Sequence, residues 1–415
     1  MERTTVITFL GTSLRPEPTE YANGDIRAKG FVFAQALQKF FEFDRMLVCM
    51  TDDAEAKVWE KLRSQGLAPE LTEDERVQAL PIKTGNDTGE MWEIFMKIAG
   101  AIEMGETVIF DITHGLRSLP FLVFLFAAYL KSAKRVKIRG IYYGALELSK
   151  DNVTPVIDLS EFVEMLDWLG ASERFIEMGD GSALAGLLKS RGKTSGRALN
   201  QVAASIEAIS LALVLARPLE AIEASGQLRK QLAAAAQEIE ARAKPFALLQ
   251  EQVANAYGQF ASQSVESAVS FAQEIELTLD QQLLMIDWYR KKGQIIQASG
   301  LAREWVISVF WVYFEVNDCA DVKEVRARIE KGLAAVGVLA QGHTVDWGND
   351  LVPLIQGLEN GRSIANFWND LTQLRNDLAH SGMRKNAGQA KNIQRRMDNL
   401  YTKLKLLIQP LLEKK

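Results

Sequence analysis

The sequence predicts an α/β fold with a mainly parallel sheet in the first 160 residues and an all-α fold in the remainder. Short apolar runs with strand character alternate with helical patterns from residue 5 to residue 157, as in doubly wound sheets. A polar turn that contains glycine joins one of these runs to an apolar helix. After residue 160 only helical spacing recurs. The predicted domains are an α/β domain at 1–160, a helical connector at 161–265 and a C-terminal helical domain at 266–415.

The composition is that of an ordinary soluble globular protein, with 47% hydrophobic and 24% charged residues. A net charge of −5 argues against nucleic-acid binding over the whole surface and leaves room for a local basic site. The two cysteines, Cys49 and Cys319, are far apart and lack metal-ligand spacing. The chain begins on a strand pattern with no signal peptide, and its longest apolar run, 119–130, is too short to cross a bilayer. We therefore expect a cytoplasmic protein without a membrane partner.

The elements of the α/β part follow from local patterns. Apolar and β-branched runs predict strands at 5–10, 46–50, 77–81, 106–110, 136–143 and 153–157. Helical spacing predicts helices at 31–41, 54–64, 89–104 and 119–130, the third capped by Asp87 or Thr88. Segment 14–30, with Pro16 and Pro18, is predicted to be a long loop. The last two strands are predicted to form a hairpin at the edge of the sheet.

Several strand ends carry residues suited to a ligand. Gly11, Thr12 and Ser13 follow the first strand, where glycine lets a ligand approach the backbone and hydroxyls can bond phosphates or base edges. A plain turn is the competing interpretation, but the central first strand should place this turn beside the one after residue 110. Thr84 lies in a similar turn, which capping chemistry explains equally well. Gly144 ends the strand at 136–143.

The strand at 106–110 leads into the most distinctive turn of the chain. An acid, Asp111, is followed by a run of hydroxyl, imidazole, glycine and guanidinium groups, which includes Thr113, His114, Gly115, Leu116 and Arg117. The helix behind this turn presents its N-terminus, which favours anions. A phosphate-bearing ligand is therefore predicted, although His114 taken alone also fits a structural histidine at a strand end.

The run Asp111-Ile112-Thr113-His114-Gly115 resembles the D-x-T-H-G signature of CRISPR-associated Rossmann-fold (CARF) proteins of the DxTHG family, and so do Leu116-Arg117 and 119–121 after it. The resemblance implies that the ligand is a cyclic oligoadenylate, the second messenger of type III CRISPR complexes. It implies that this turn and the 11–13 turn bond its phosphates and adenines. A symmetric ring suits a site built twice across a dimer axis, so a homodimer or higher homo-oligomer is expected.

The chain after residue 160 is predicted to consist of helices. Glycine and proline predict breaks at 192–196, 217–218 and 244–245. Later helices are predicted at 280–293, 297–315, 320–338, 364–379 and 391–412. The last helix has an apolar stripe, interpreted as core or as a partner face, made of Ile393, Met397, Leu400, Leu404 and Leu407.

Arg375, Asn376 and His380 form a second candidate site. The run R-N-x-x-x-H resembles the R-x4–6-H pattern of HEPN ribonucleases, and its place behind a CARF-like domain resembles the CARF-HEPN ribonucleases. The resemblance implies cleavage of single-stranded RNA at a composite site on a dimer axis.

These residue types suit metal-independent cleavage through the RNA 2′-OH. Histidine can act as base or acid near neutral pH, arginine donates to phosphate charge, and asparagine can orient a hydroxyl. Arg375 and His380 lie about 140° apart on an ideal helix, but Ser381-Gly382 is predicted to end the helix and free His380. No His, Cys or Asp group has metal-ligand spacing, so no metal or other cofactor is predicted besides the ring as activator.

Further residues are weaker candidates. Glu304 lies on an earlier helix that could pack near the motif, and His343 is interpreted as a surface residue. Basic residues after the motif could hold the RNA backbone or simply form a solvated face; these are Arg384, Lys385, Lys391, Arg395 and Arg396.

The sequence thus predicts a cyclic-oligoadenylate-activated endoribonuclease of type III CRISPR defence. Two alternatives of other classes stay open. One is a ring sensor or ring nuclease whose HEPN half serves dimerisation or binding. The other is a toxin-like helical RNase whose α/β half binds an ordinary nucleotide, against which the missing G-x-G-x-x-G after the first strand counts.

Overall fold

The computed structural model describes residues 3–114, 119–192, 196–262, 268, 270–316, 321–345, 348–383 and 388–413. The chain divides into two compact units, Met1–Asp167 and Trp168–Lys415. The first unit is built around a sheet, and the described part of the second is built from helices. The predicted division of the helical part at residue 265 remains a prediction.

The sheet of the first unit has eight strands. They are β1 Thr4–Phe9, β2 Thr19–Asn23, β3 Ile26–Gly30, β4 Arg45–Met50, β5 Val77–Pro81, β6 Thr107–Asp111, β7 Lys137–Gly144 and β8 Val153–Asp158. Their spatial order is β3-β2-β8-β7-β6-β1-β4-β5. The five strands from β7 to β5 are parallel, with β1 in the middle. The predicted α/β class with a mainly parallel sheet is confirmed.

Helices cover both faces of this sheet. They are α1 Phe33–Phe40, α2 Asp52–Ala54, α3 Glu60–Ser64, α4 Pro69–Thr72, α5 Thr88–Ala101 and α6 Leu119–Lys134, with a π-helical turn at Glu55–Trp59 and a 3₁₀ turn at Leu146–Leu148. Successive strand side chains point to opposite faces. Val6 and Ile109 therefore join the core that contains α1, while Ile7 and Phe110 join the core that contains α5 and α6. The result is a three-layer α/β/α unit.

Two predictions about the sheet are wrong. Segment 14–30 is not a loop, because β2 and β3 form an antiparallel hairpin through the two-residue turn Gly24-Asp25. Gly24 has φ 59°, which glycine adopts without strain, and the Asn23-Gly24 pair is a hairpin signal that Pro16 and Pro18 obscured. The β7–β8 pair is antiparallel as predicted, but β2 pairs with the free side of β8. The edge strands are therefore β3 and β5.

Helices make up the regular structure of the described chain after β8. They are α7 Ser160–Met178, α8 Ser182–Gly192, α9 Arg197–Val214, α10 Pro218–Ala234, α11 Ala236–Arg242, α12 Lys244–Ala247, α13 Gln250–Gly258, α14 Phe271–Glu276, α15 Leu279–Lys291, α16 Ile295–Phe314, α17 Val322–Ala340, α18 Leu351–Gln356, α19 Gly361–Ala379, α20 Ala390–Leu407 and α21 Pro410–Glu413. Among these described helices, none is both long and apolar enough to cross a bilayer.

One apolar core runs through the second unit from Trp168 to Leu411. The apolar stripe of the last long helix belongs to it, with Met397, Leu400 and Leu404 buried, so its interpretation as core is confirmed. The prediction of a single helix at 391–412 is wrong. Helix α20 ends at Leu407 and α21 begins at Pro410, because proline lacks the N–H that would continue α20.

Candidate functional site

The strand order creates a crevice beside β1. Among the five parallel strands, β4 and β5 lie on one side of β1, and β6 and β7, which follow them in sequence, lie on the other. The direction of winding therefore reverses between β1 and β6. Open α/β sheets bind ligands at such a reversal, outside the carboxyl ends of the strands. The turns after β1 and β6 meet there, since a Cβ placed on Gly11 would lie 3.7 Å from Cβ of His114.

Asp111 holds the turn after β6 in shape. Its carboxylate is buried and accepts hydrogen bonds from Thr8 Oγ1 at 2.5 Å and from the Thr113 N–H at 2.7 Å. Burial raises the pKa of Asp111 to about 6, although hydrogen bonds from the Thr8 side chain and from the backbone and side chain of Thr113 act to lower it. Asp111 is therefore a positioning residue that aims Thr113 and His114.

Thr113 links this turn to the next strand. Its Oγ1 accepts the Gly144 N–H at 2.8 Å, and its side chain also hydrogen-bonds the Asp111 carboxylate, so Thr113 joins β6 to β7. Gly144 itself is required by packing, because a Cβ there would lie 2.9 Å from the Tyr21 ring and 3.1 Å from the Phe33 ring. The structure thus brings Thr113 and Gly144 together as sequence analysis grouped them, and gives Gly144 a steric reason.

His114 is held as a neutral imidazole. Its Nε2 accepts the Phe33 N–H at 3.3 Å, so Nδ1 carries the proton and can donate to a ligand. Burial, with the nearby Arg15 charge, lowers the pKa of His114 to about 4. A neutral donor at the crevice can bond an adenine nitrogen or a phosphate oxygen without adding charge.

The remaining predicted ligand residues are placed unevenly. Thr12 and Ser13 are exposed at the end of β1, where a ligand could reach them. Thr84 follows the edge strand β5, two strands from β1 and thus roughly 10 Å away. It lines a separate 460 Å³ cavity of mixed charge, with the carboxylates of Asp52, Glu90 and Glu93 and the ammonium groups of Lys83 and Lys97. Gly115, Leu116 and Arg117 lie outside the described residues.

Arg15 is a candidate that sequence reasoning missed. Its charge acts on both His114 and Tyr21, so its guanidinium lies beside the crevice. Arg15 is exposed, and within the described part of the chain no hydrogen bond or ion pair engages its side chain. An unpaired guanidinium beside neutral donors suits a phosphate. Its position four residues after Gly11, in a segment at the carboxyl end of β1, was the available signal.

The second candidate site lies at the end of α19. Arg375 and Asn376 occupy its last turns and are partly buried, whereas His380 caps the helix and is exposed. Ser381 and Gly382 have φ of 53° and 70°, so the helix ends where the sequence predicted. Asp377, which lies between Asn376 and His380, is buried. Its carboxylate accepts the Gly388 N–H at 2.9 Å and thereby holds the segment at Gly388 against the motif. No hydrogen bond joins Arg375 to His380 among the described contacts of this chain.

Arg375 opens into a cavity of about 750 Å³ within the helical unit. The described lining includes four arginines and two glutamates, namely Arg217, Arg303, Arg326, Arg375, Glu220 and Glu304. The guanidinium of Arg375 has no hydrogen-bond or ion-pair partner among the described residues. A partly buried, unpaired guanidinium in a cavity of positive net charge is a site for an anion.

Glu304 belongs to this cavity, as its position on an earlier helix suggested. Its carboxylate bonds Arg326 and lies 3.2 Å from Arg303. Arg303 is also bonded to Glu330 at 2.7 Å and packs over the Trp368 ring. Glu304 therefore fixes two guanidinium groups in the wall rather than pointing a free charge at a substrate.

The other weak candidates do not line this cavity. Lys391, Arg395 and Arg396 lie at the start of α20, where Arg395 bonds Asn392. Arg384 and Lys385 are outside the described residues, and His343 is exposed in a loop, as expected. Within the described chain, no group of three or more His, Cys, Asp or Glu is arranged to hold a metal ion.

Comparisons with known proteins place the two units in context. Residues 5–147 match the family model of the CARF domain of CRISPR system endoribonuclease Csx1. Residues 164–264 match the model of the second domain of CRISPR-associated protein MJ1674. Over 131 residues the chain is 31% identical to CRISPR-associated protein MJ1674 of Methanocaldococcus jannaschii. That match covers 31% of this chain and 21% of the relative, so the chain spans about a fifth of that protein's length.

A solved structure, Enterococcus italicus Csm6 bound to cyclic hexa-2′-fluoro-hexa-dAMP, aligns with 100% of this chain and 95% of its own. The sequence identity is 11% and the TM-score 0.47, which is too low to carry a conclusion about this chain. The match to the Csx1 CARF model covers residues 5–147, which hold seven of the eight strands of the sheet. The N-terminal unit of this chain is therefore a CARF domain, similar to that of CRISPR system endoribonuclease Csx1, and an all-helical region follows it.

Proposed function

We propose that this protein is a metal-independent endoribonuclease that cuts single-stranded RNA in type III CRISPR defence when its CARF domain binds a cyclic oligoadenylate. The observation that carries the proposal is the unpaired Arg375 guanidinium in a positively charged cavity, one turn before His380, in a chain with a CARF domain. The family model matched by that domain is named for an endoribonuclease, which supports the same activity.

The ring binds at the crevice beside β1. Arg15 and the 11–13 turn take phosphates, while the Nδ1–H of His114, beside Thr113, donates to the ring. Arg117, in the same motif, adds a second guanidinium. A ring with internal symmetry engages two copies of this crevice, so the active form is a homodimer or a higher homo-oligomer.

RNA cleavage uses the RNA's own 2′-OH. His380 takes the 2′-OH proton, the 2′ oxygen attacks the adjacent phosphorus, and the bond to the 5′ oxygen of the next nucleotide breaks. A second histidine, supplied by the other copy, protonates the leaving oxygen. Arg375 stabilises the charge on the phosphate, and Asn376 orients the attacking hydroxyl. The products are a 2′,3′-cyclic phosphate and a 5′-OH, and DNA cannot react because it lacks the 2′-OH.

The test is cleavage of a fluorescent single-stranded RNA in EDTA, with and without cyclic tetra- or hexa-adenylate. We expect wild-type cleavage with one of the rings, none with DNA of the same sequence, and a loss of about 10²-fold or more in His380→Ala. His343→Ala is the matched control, since His343 is an exposed histidine of the same helical unit. If no ring induces cleavage, the ribonuclease proposal fails; ring binding or ring cleavage that persisted would favour the sensor or ring nuclease.

A further inference from the structure

The 750 Å³ cavity of the helical unit is larger than the Arg375–His380 pair requires. Its described lining draws on the start of α10, on α14 and α15, on α16 and α17, and on α19, so six helices converge on it. The volume falls in the range of pockets that hold small ligands or single nucleotides. His380 is not part of the lining.

The four arginines of this cavity fall into two classes, and Glu220 adds a carboxylate at the start of α10. Arg303 and Arg326 are paired with Glu304, and Arg303 is further fixed by Glu330 and Trp368. Arg217 and Arg375 have no hydrogen-bond or ion-pair partner in the chain as far as the structure describes it. Arg217 precedes α10, and Arg375 belongs to the motif. The two unpaired guanidinium groups can each take one phosphate, and the paired ones supply a rigid positive wall.

An aromatic ring completes the cavity. Phe271 lines the cavity and is 45% exposed. Its ring lies at a tilt against the ring of Trp311, which is buried in the core. Exposed aromatic rings beside arginines are how proteins bind single-stranded nucleic acid, because every base has a face that can stack. A duplex could not present an unstacked base to this ring.

We propose that this cavity is an RNA-binding subsite, in which Arg217 and Arg375 hold successive phosphates of a single strand and Phe271 stacks on a base between them. Glu304 is a positioning residue that keeps Arg303 and Arg326 in the wall. The subsite rests on the proposed ribonuclease function, and it extends the substrate contact from the cleavage motif to the start of α10.

The experiment measures binding rather than cleavage, so that it stands apart from the test of activity. Full-length His380→Ala protein with the activating ring, or without one if none activates, is titrated with a short fluorescent single-stranded RNA at several salt concentrations. Adding Phe271→Ala should weaken binding by about 5- to 100-fold, the range for loss of one stacked base. Adding Arg217→Gln should weaken binding and reduce the salt slope by about one, as for one lost phosphate contact.

Arg328→Gln is the matched control. Arg328 lies two residues after Arg326 on α17 but bonds Asp350 and does not line the cavity. Its substitution should leave RNA affinity and salt slope unchanged. Thermal melts check that each variant is folded. The subsite is overturned if folded Phe271→Ala and Arg217→Gln bind RNA as tightly as their parent, or if Arg328→Gln weakens binding equally. Wild-type cleavage without an effect of these two variants would leave the ribonuclease proposal intact and remove the subsite alone.

Discussion

At the scale of single residues, the CARF crevice separates side chains that hold the turn from side chains that face a ligand. Both carboxylate oxygens of Asp111 accept hydrogen bonds, one from the Thr8 hydroxyl and the other from the Thr113 N–H. Thr113 in turn accepts a hydrogen bond from the Gly144 N–H. His114 and Arg15 keep donors free. The turn after β6 therefore combines Asp111, which fixes its shape, with the adjacent binding group of His114, a division that the sequence pattern does not display.

Arg15→Gln tests the candidate ligand residue that was identified only from the structure. Removing one unpaired guanidinium from a phosphate site should weaken ring binding by about 10- to 100-fold, the usual loss for a charge-assisted hydrogen bond. Calorimetric titration with the activating ring measures it. Arg27→Gln serves as the control, because Arg27 is exposed on the same unit and pairs with Glu20. Equal affinity of Arg15→Gln and wild type would place Arg15 outside the ligand contact.

His114 should make the protein sensitive to acid. Its pKa is lowered to about 4 in the folded protein, against 6.5 for an ordinary histidine. The unfolded chain therefore binds more protons between these values, and the free energy of unfolding falls as pH drops from 6.5 toward 4. In His114→Gln this fall should be smaller. The raised pKa of Asp111 acts in the opposite sense, but that group is present in both proteins.

Urea unfolding at pH 7 and at pH 5 measures both free energies. A fall of the same size in wild type and in His114→Gln would show that the histidine is not held neutral in the folded state.

At the scale of elements, a buried ion pair joins the amino ends of the central strands. Glu106, just before β6, is 3% exposed and lies 3.3 Å from Arg45 of β4. It also accepts from Thr5 of β1 at 2.8 Å, while Arg45 donates to the Ala101 carbonyl at 2.7 Å. The cluster lies at the sheet edge opposite the crevice, so its role is structural.

Glu106→Ala should destabilise the first unit by about 3–5 kcal/mol, because it leaves the Arg45 charge buried without its partner. The double variant Glu106→Ala with Arg45→Met should recover part of that loss, since both charges are then absent. Urea unfolding of the three proteins gives the comparison. If Glu106→Ala were as stable as wild type, water would have to reach the Arg45 side chain.

At the scale of the whole molecule, the proposed function requires that ring binding and RNA binding affect each other. Linkage makes that effect equal in both directions. If the ring raises the RNA affinity of His380→Ala by a given factor, RNA must raise its ring affinity by the same factor. Titrating each ligand in the presence of saturating amounts of the other tests this. Ring affinity that RNA does not change would mean that the ring acts on the catalytic step and not on RNA binding.

The sequence by itself determined the fold class, the strand that ends at Asp111, the helix from Leu119 and the helix end at 380–382, because each rests on local hydrophobic period and on glycine or proline stereochemistry. The two short motifs were found by their resemblance to known families. Only the tertiary structure decided the β2–β3 hairpin's place beside β8, the separation of Thr84 from the crevice, and the gathering of Arg217, Phe271 and Arg375 around one cavity. Glu20 of β2 pairs with Val153 of β8, and Phe271 lines the same cavity as Arg375, so these arrangements join residues more than 100 positions apart in the chain. No local pattern encodes such contacts.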